Sequence, residues 1–299
     1  MRLLTRGDAD GLACAVFLTI KEKVETIKFA HPKDMQDGLI DVTTSDIICN
    51  LPYHPDCGMW FDHHISEEDR EEHVIEVGEF KGKFGLAPSA AHLVYEYYND
   101  PHLKKYDDFL KAVDKLDSAQ LTVKDVTDPQ GWMLLLLSLD PRSSLGDFEY
   151  YFFQLVDWIK KLSLKEILKQ PEVSLRCDYV MSEQAKFKEF LFQNTRLDGN
   201  VIITDFRDLT EIPMGNRFLV YTIFPEGNIS LRIFWGREKK NVVCAAGHNI
   251  FKRDSKTNIG RLFATYGGGG HTGAGTCQLD VDTADVQIKE IIEQMKKDG

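Results

Sequence analysis

At 299 residues, with 43% hydrophobic and 28% charged residues, the chain is long enough for two domains of ordinary size and apolar enough to bury a core in each. Its formal charge of -11 argues against a generic nucleic-acid binder, which draws its affinity from a basic surface. No apolar run approaches a membrane span, and the first residues lack the apolar stretch and cleavage site of a secretory signal, so the default reading is a cytoplasmic chain with no membrane partner.

The elements begin in strand–helix alternation. Arg2–Thr5 reads as a strand and Gly11–Lys21 as a helix with Asp10 as its N-cap. Thr26–Ala30, Asp46–Asn50 and Gly58–Phe61 read as further strands, and Ser89–Tyr98 as a helix opened by Pro88 and Ser89. Such alternation implies a parallel sheet with helices on its faces. From Asp147 to Phe192 the pattern is helical, broken at Pro171. The aromatic stretch Tyr150–Trp158 suits either a core or a dimer face, so a homodimer is one expected assembly. After the turn at Asp198–Asn200, three apolar runs read as strands: Val201–Phe206, Phe218–Phe224 and Ile229–Trp235. The chain closes on a helix, Ala284–Lys297. The expected class is therefore α/β: an N-terminal parallel-sheet domain over residues 1–125, a helical connector over 126–198, and a smaller mixed α/β domain over 199–299.

The six cysteines form no C-x-x-C pair and mostly sit in apolar runs, which points to buried free thiols rather than a zinc site. From Ser230 to Arg261 the chain carries eight Lys or Arg against two acidic residues, a local reversal that suits either a solvated face or a small polyanion.

Three islands carry chemistry. Gly7-Asp8-Ala9-Asp10-Gly11 stands at a strand-to-helix junction, where two carboxylates can share one site at a strand's carboxyl end. Asp62-His63-His64 follows a buried strand and combines imidazole donors with a carboxylate that can orient them. Gly267–Gly270 followed by His271 has little packing value, and suits a loop whose backbone N–H groups cradle phosphate.

Together the islands resemble the DHH phosphoesterases of the DHHA1 subgroup, through LTRGDADGLACAV (residues 4–16), MWFDHH (59–64), VDKLDSA (113–119), SLRIF (230–234) and YGGGGHTGAGTC (266–277). The resemblance implies a cluster of Asp and His in the first domain that holds divalent cations, Mn2+ or Mg2+, and a second domain that grips the substrate's phosphate. By that resemblance Asp8, Asp10, His63 and Asp117 are metal ligands, with Asp114 a close competitor of Asp117. Asp62 orients a histidine, and His64 lies near the scissile phosphate. Arg232, Gly268, Gly269, Gly270 and His271 bind substrate.

Two positions depart from the pattern. Arg6 stands where many relatives carry His, and an arginine cannot become a ligand. Asn50 stands where relatives carry a bridging Asp. The expectation is one cation or a weakly bound one, with Arg6 taking over part of the lost metal's electrostatic role in catalysis. The substrate implied is small and phosphorylated: a nucleotide, a short oligonucleotide or a polyphosphate-like chain. The alternative is a catalytically impaired nucleotide- or phosphate-binding protein of the same fold.

Overall fold

The structure is a computed structural model that describes residues 1–64 and 80–299. The chain divides into two compact units. The first comprises Met1–Gln120 and Pro129–Tyr179; the second comprises Leu121–Asp128 and Val180–Gly299. The class is α/β, with a parallel sheet in the first unit and a separate mixed sheet in the second.

In the first unit, β1 (Arg2–Thr5), β2 (Thr26–Phe29), β3 (Asp46–Cys49), β4 (Met59–Asp62) and β5 (Gly82–Phe84) form an all-parallel sheet in the order β2-β1-β3-β4-β5. The central strands β3 and β4 are buried along their whole length, as expected of a sheet covered on both faces. Helix α1 (Ala9–Lys21) is buried from Asp10 to Leu18 and packs against α3 (Ala90–Tyr98) and α4 (Asp107–Asp117), while α2 (Pro32–Gln36) follows β2. In this strand order the chain reverses direction of build between β1 and β3, and such switch points are where open α/β sheets bind ligands, beyond the strands' carboxyl ends.

The aromatic helix Phe148–Lys161 belongs to the first core. It buries Tyr151, Phe152, Leu155, Val156 and Ile159, and leaves Tyr150 and Phe153 exposed.

Asp8, rather than Asp10, caps α1: its Oδ1 accepts from the Gly11 N–H at 2.9 Å. Asp10 is displaced from the capping role because its side chain turns inward to a different set of donors. A side chain at position 11 would collide with the Arg6 carbonyl, so only glycine lets the helix start this close to β1.

In the second unit, β6 (Thr195–Asp198), β7 (Val201–Asp205), β8 (Ile229–Trp235), β9 (Val242–His248), β10 (Gly269–His271) and β11 (Ala274–Leu279) form a sheet in the order β10-β11-β9-β8-β7-β6. Ile229, Leu231 and Ile233 face a core shared with Phe263, Ile288, Ile291 and Met295 of the helices Ile259–Ala264 and Ala284–Asp298. Residues 218–224, expected as a strand, instead contain the helix Leu219–Ile223. The reason is topological. β7 and β8 are parallel, so the segment between them must cross over, and this short helix is part of the crossover.

All six cysteines are unbridged, and five are buried. Among the described residues no helix is long and apolar enough to cross a membrane.

Candidate active site

The carboxyl ends of β1, β3 and β4 bring together the first two islands. His63 Nε2 lies 3.0 Å from Asp117 Oδ2 and 3.7 Å from Asp10 Oδ2. Among the described residues, Asp10, His63 and Asp117 form a group whose three ligand atoms lie within 4.8 Å of one another.

Each of the three is held by neighbours. Asp10 is fully buried, and its two oxygens accept from the backbone N–H groups of Ala90 (2.9 Å) and Ala91 (2.8 Å). Those are orphan donors of the first turn of α3, so the helix N-terminus stabilises the buried charge. His63 Nδ1 contacts the Ala87 carbonyl at 3.1 Å, which fixes Nδ1 as the donor and leaves the lone pair on Nε2. That Nε2 is buried between the Asp117 and Asp10 carboxylates without a well-formed hydrogen bond to either. An imidazole nitrogen so placed between two carboxylates fits a divalent cation.

The electrostatics agree with the geometry. Burial, followed by the nearby Asp117 carboxylate, pushes Asp10 up to about 7. Burial opposes a charge on His63, yet Asp117 and Asp10 overcome it and raise the imidazole to about 9. Both shifts report one strongly negative spot that attracts a positive charge, whether proton or metal.

Asp114 and Asp117 take different places. Asp117 faces His63, whereas Asp114 binds Ser89 Oγ at 2.7 Å and His92 Nδ1 at 2.8 Å. Ser89 in turn caps α3 through the His92 N–H at 3.0 Å. Asp114 therefore steadies the helix end that holds Asp10.

Asp8 stands beside this group with different partners. Its Oδ1 accepts from Asn50 Nδ2 at 3.0 Å as well as from Gly11, and its Oδ2 meets Arg6 Nε at 3.0 Å. Donors of its own chain thus occupy both oxygens. Desolvation raises the Asp8 carboxyl, and Arg6 pulls it back down. Asn50 is buried with a left-handed backbone (φ 56°), a conformation asparagine tolerates better than most residues. Its N–H completes the sheet to Phe61, and its Oδ1 is buried without a partner.

His64 points elsewhere. Its Nδ1 contacts Asp62 Oδ1 at 2.8 Å, which orients the ring and leaves Nε2 for a ligand. The two histidine rings lie 4.4 Å apart.

In the second unit, Arg232 stands on β8 with its guanidinium 5.1 Å from the Phe206 ring. The register aligns Arg232 with Ala245, Thr276 and Gly269 in one cross-strand row. With the period-two alternation of strands, Arg232 and His271 share one face of the sheet. Three strand spacings, about 14 Å in all, separate their strands.

The glycine run is not a free loop throughout. Gly269–His271 is β10, paired antiparallel to β11. Side chains at Gly268 or Gly270 would collide with the backbone of β11, so those two glycines are required by close backbone approach. The basic residues from Ser230 to Arg261 form no single patch. Arg237, Lys239 and Lys240 lie at one end of the β8–β9 hairpin, and Lys252 and Arg253 lie beyond the other.

Sequence reading missed the supports around the cluster: Ser89, Ala90, Ala91, His92 and the Ala87 carbonyl. The signal was present in part, since Pro88-Ser89 announces a helix start and a helix start is an anion site.

Comparison with solved structures now adds to the geometry. The chain is similar to the pGpG-specific phosphodiesterase PggH from Vibrio cholerae, with 40% identity, a TM-score of 0.83, and coverage of 100% of this chain and 99% of that one. A DHH domain from a protein described as a member of a family of ribosomal proteins shares the fold at 14% identity and a TM-score of 0.64, covering 99% and 86%. So does an exopolyphosphatase-related protein from Bacteroides fragilis at 12% identity and a TM-score of 0.53, covering 99% and 92%. No protein-family model and no curated protein matches the chain. The chain belongs to the DHH/DHHA1 phosphoesterase family.

Proposed function

We propose that this protein is a divalent-cation-dependent phosphodiesterase that cleaves a short 5′-phosphorylated oligonucleotide, of the class represented by the linear dinucleotide pGpG, into mononucleotides. The observation that carries the reading is the convergence of Asp10, His63 and Asp117 around the buried His63 Nε2, with His64 and Arg6 at the same strand ends. The 40% identity to a pGpG-specific enzyme across the full length supports the substrate class.

A cation held by Asp10, His63 and Asp117, Mn2+ or Mg2+, would supply Lewis acidity to the phosphodiester and favour ionisation of water. The chain's own groups do the rest. Asp62 fixes the His64 ring so that Nε2 meets the phosphate or the departing ribose oxygen. Arg6, released from Asp8 in part, offsets charge that develops on the phosphoryl oxygens. Within the second unit, Arg232 and His271 share one face of the sheet and offer cationic or donor groups for a phosphate. Hydrolysis of pGpG consumes one water and yields two molecules of GMP.

Asn50 and the Arg6–Asp8 pair favour a second reading, in which the fold binds a nucleotide without cleaving it. One assay decides. Purified protein with Mn2+ should convert pGpG to GMP on a chromatographic readout, and Asp10→Asn should abolish conversion. Tight binding of pGpG by the parent without turnover would support the second reading instead.

A further inference from the structure

A cavity of about 620 Å³ opens beside the cluster in the first unit, and its wall has two characters. Its polar lining is Arg6, Gln36, Asn50, Asp62 and His64, and its apolar lining is Tyr53, Trp60 and Phe84 with Pro32, Leu51 and Pro52. Trp60 is locked by donation from Nε1 to the Leu51 carbonyl at 2.9 Å. Its ring stacks on Phe84 at 4.4 Å and meets Tyr53 at 5.0 Å. Trp60 is buried in a small core, and Tyr53 and Phe84, packed against that core, are only partly buried and border the cavity. The volume lies within the range of small-molecule sites, and an apolar wall with a few convergent polar groups is their usual lining.

We infer that this cavity is a purine-nucleobase subsite. A base against the apolar lining stacks on Tyr53 and Phe84, with Trp60 as the fixed backing, and the phosphate it carries reaches Arg6 and His64. Gln36 brings both a donor and an acceptor to the edge of the base. Stacking tolerates any base, but a bicyclic ring covers more of the aromatic wall, so purines are preferred over pyrimidines. The inference rests on the phosphodiesterase reading for the identity of the ligand and adds to it the place where the base is read.

The test uses the full-length protein and four probes: GMP, AMP, UMP and ribose 5-phosphate, with binding measured by calorimetry in the presence of Mn2+. GMP and AMP should bind more tightly than UMP, and all three more tightly than ribose 5-phosphate. Tyr53→Ala should weaken GMP about 5- to 150-fold, the range for loss of one aromatic stacking partner, while leaving ribose 5-phosphate unchanged. Tyr53→Leu and Phe84→Leu keep apolar volume and remove the stacking face; they replace the alanine variant if it fails to fold, and should give the same pattern. Equal loss for GMP and ribose 5-phosphate, no loss for GMP, or equal binding of UMP and GMP would overturn the inference. The two readings fail separately. A parent that cleaves pGpG with a KM unchanged by these variants retains the activity and loses the subsite. A parent that cleaves nothing, yet prefers GMP over ribose 5-phosphate through Tyr53, retains the subsite and loses the activity.

Discussion

The change Asn50→Asp tests how the site is balanced. Asn50 Nδ2 donates to Asp8 Oδ1 at 3.0 Å in a place where Asn50 is 1% exposed. The substitution replaces that donor with a second carboxylate at nearly constant volume. Two unit charges at this distance repel by about 5 kcal/mol with an effective dielectric constant of about 20. Proton uptake by one of the pair relieves part of the repulsion, since burial already raises the Asp8 carboxyl. Arg6 at 3.0 Å from Asp8 offsets part of the repulsion, so a net loss of about 3 kcal/mol is expected. A divalent cation should reverse it, because two carboxylates that repel each other are what a cation needs. The assay is thermal unfolding of parent and variant at pH 8, with chelator and then with increasing Mn2+. The variant should melt well below the parent with chelator, and gain more than the parent from Mn2+. A variant as stable as the parent in chelator would refute the placement of Asn50 against Asp8. A cation-independent deficit would refute the idea that the neutral amide stands in for a metal-bridging group.

Three further outcomes follow from contacts described above. Asp114→Asn should loosen Ser89 and His92, cost about 1 kcal/mol through the weakened cap, and lower Mn2+ affinity about 10-fold by calorimetry; unchanged affinity would separate Asp114 from the cluster. His271→Ala should weaken binding of a phosphate ester by about 1–3 kcal/mol, and an unchanged titration would remove His271 from the substrate's path. Asp46 is buried and, although burial works against its charge, hydrogen bonds from Arg2 and Thr43 hold its carboxyl below the usual carboxylate range. Its contribution is therefore fully present above about pH 4 and is lost as the pH falls through the depressed folded value. Asp46→Asn should cost about 3 kcal/mol at pH 7 and progressively less below pH 4, and parallel stability–pH curves for the two proteins would contradict this.

The parallel sheet was legible in the sequence because its signal is local, strands alternating with helices. What was not legible depends on packing between distant segments. Asp10 and Asp8 differ by two positions and either fits an N-cap; only the N–H groups of Ala90 and Ala91 decide which one turns inward. Asp114 and Asp117 lie about one turn apart on α4, and pairing with Ser89 rather than His63 distinguishes them. Residues 218–224 form a short apolar run whose period suits a strand or a buried helix, and the parallel pairing of β7 with β8 settles it. The glycine run suits a phosphate-cradling loop or a flexible turn by its sequence, whereas Gly268 and Gly270 meet a steric demand of the β10–β11 pairing. The aromatic cavity could not be read at all, because Tyr53, Trp60 and Phe84 sit in three separate segments with no shared motif.

The bond between Asp10 and the first turn of α3 has a consequence for how the protein comes to exist. Asp10, His63 and Asp117 come from three stretches of chain that meet only when the loops between them have closed, and that closure is among the entropically costly steps of reaching this topology. A nascent chain that has emerged only as far as His63 holds two of the three residues and none of the amides that pin the first. The cation site proposed for this group is thus complete only once the helices that carry Ala90, Ala91 and Asp117 have docked.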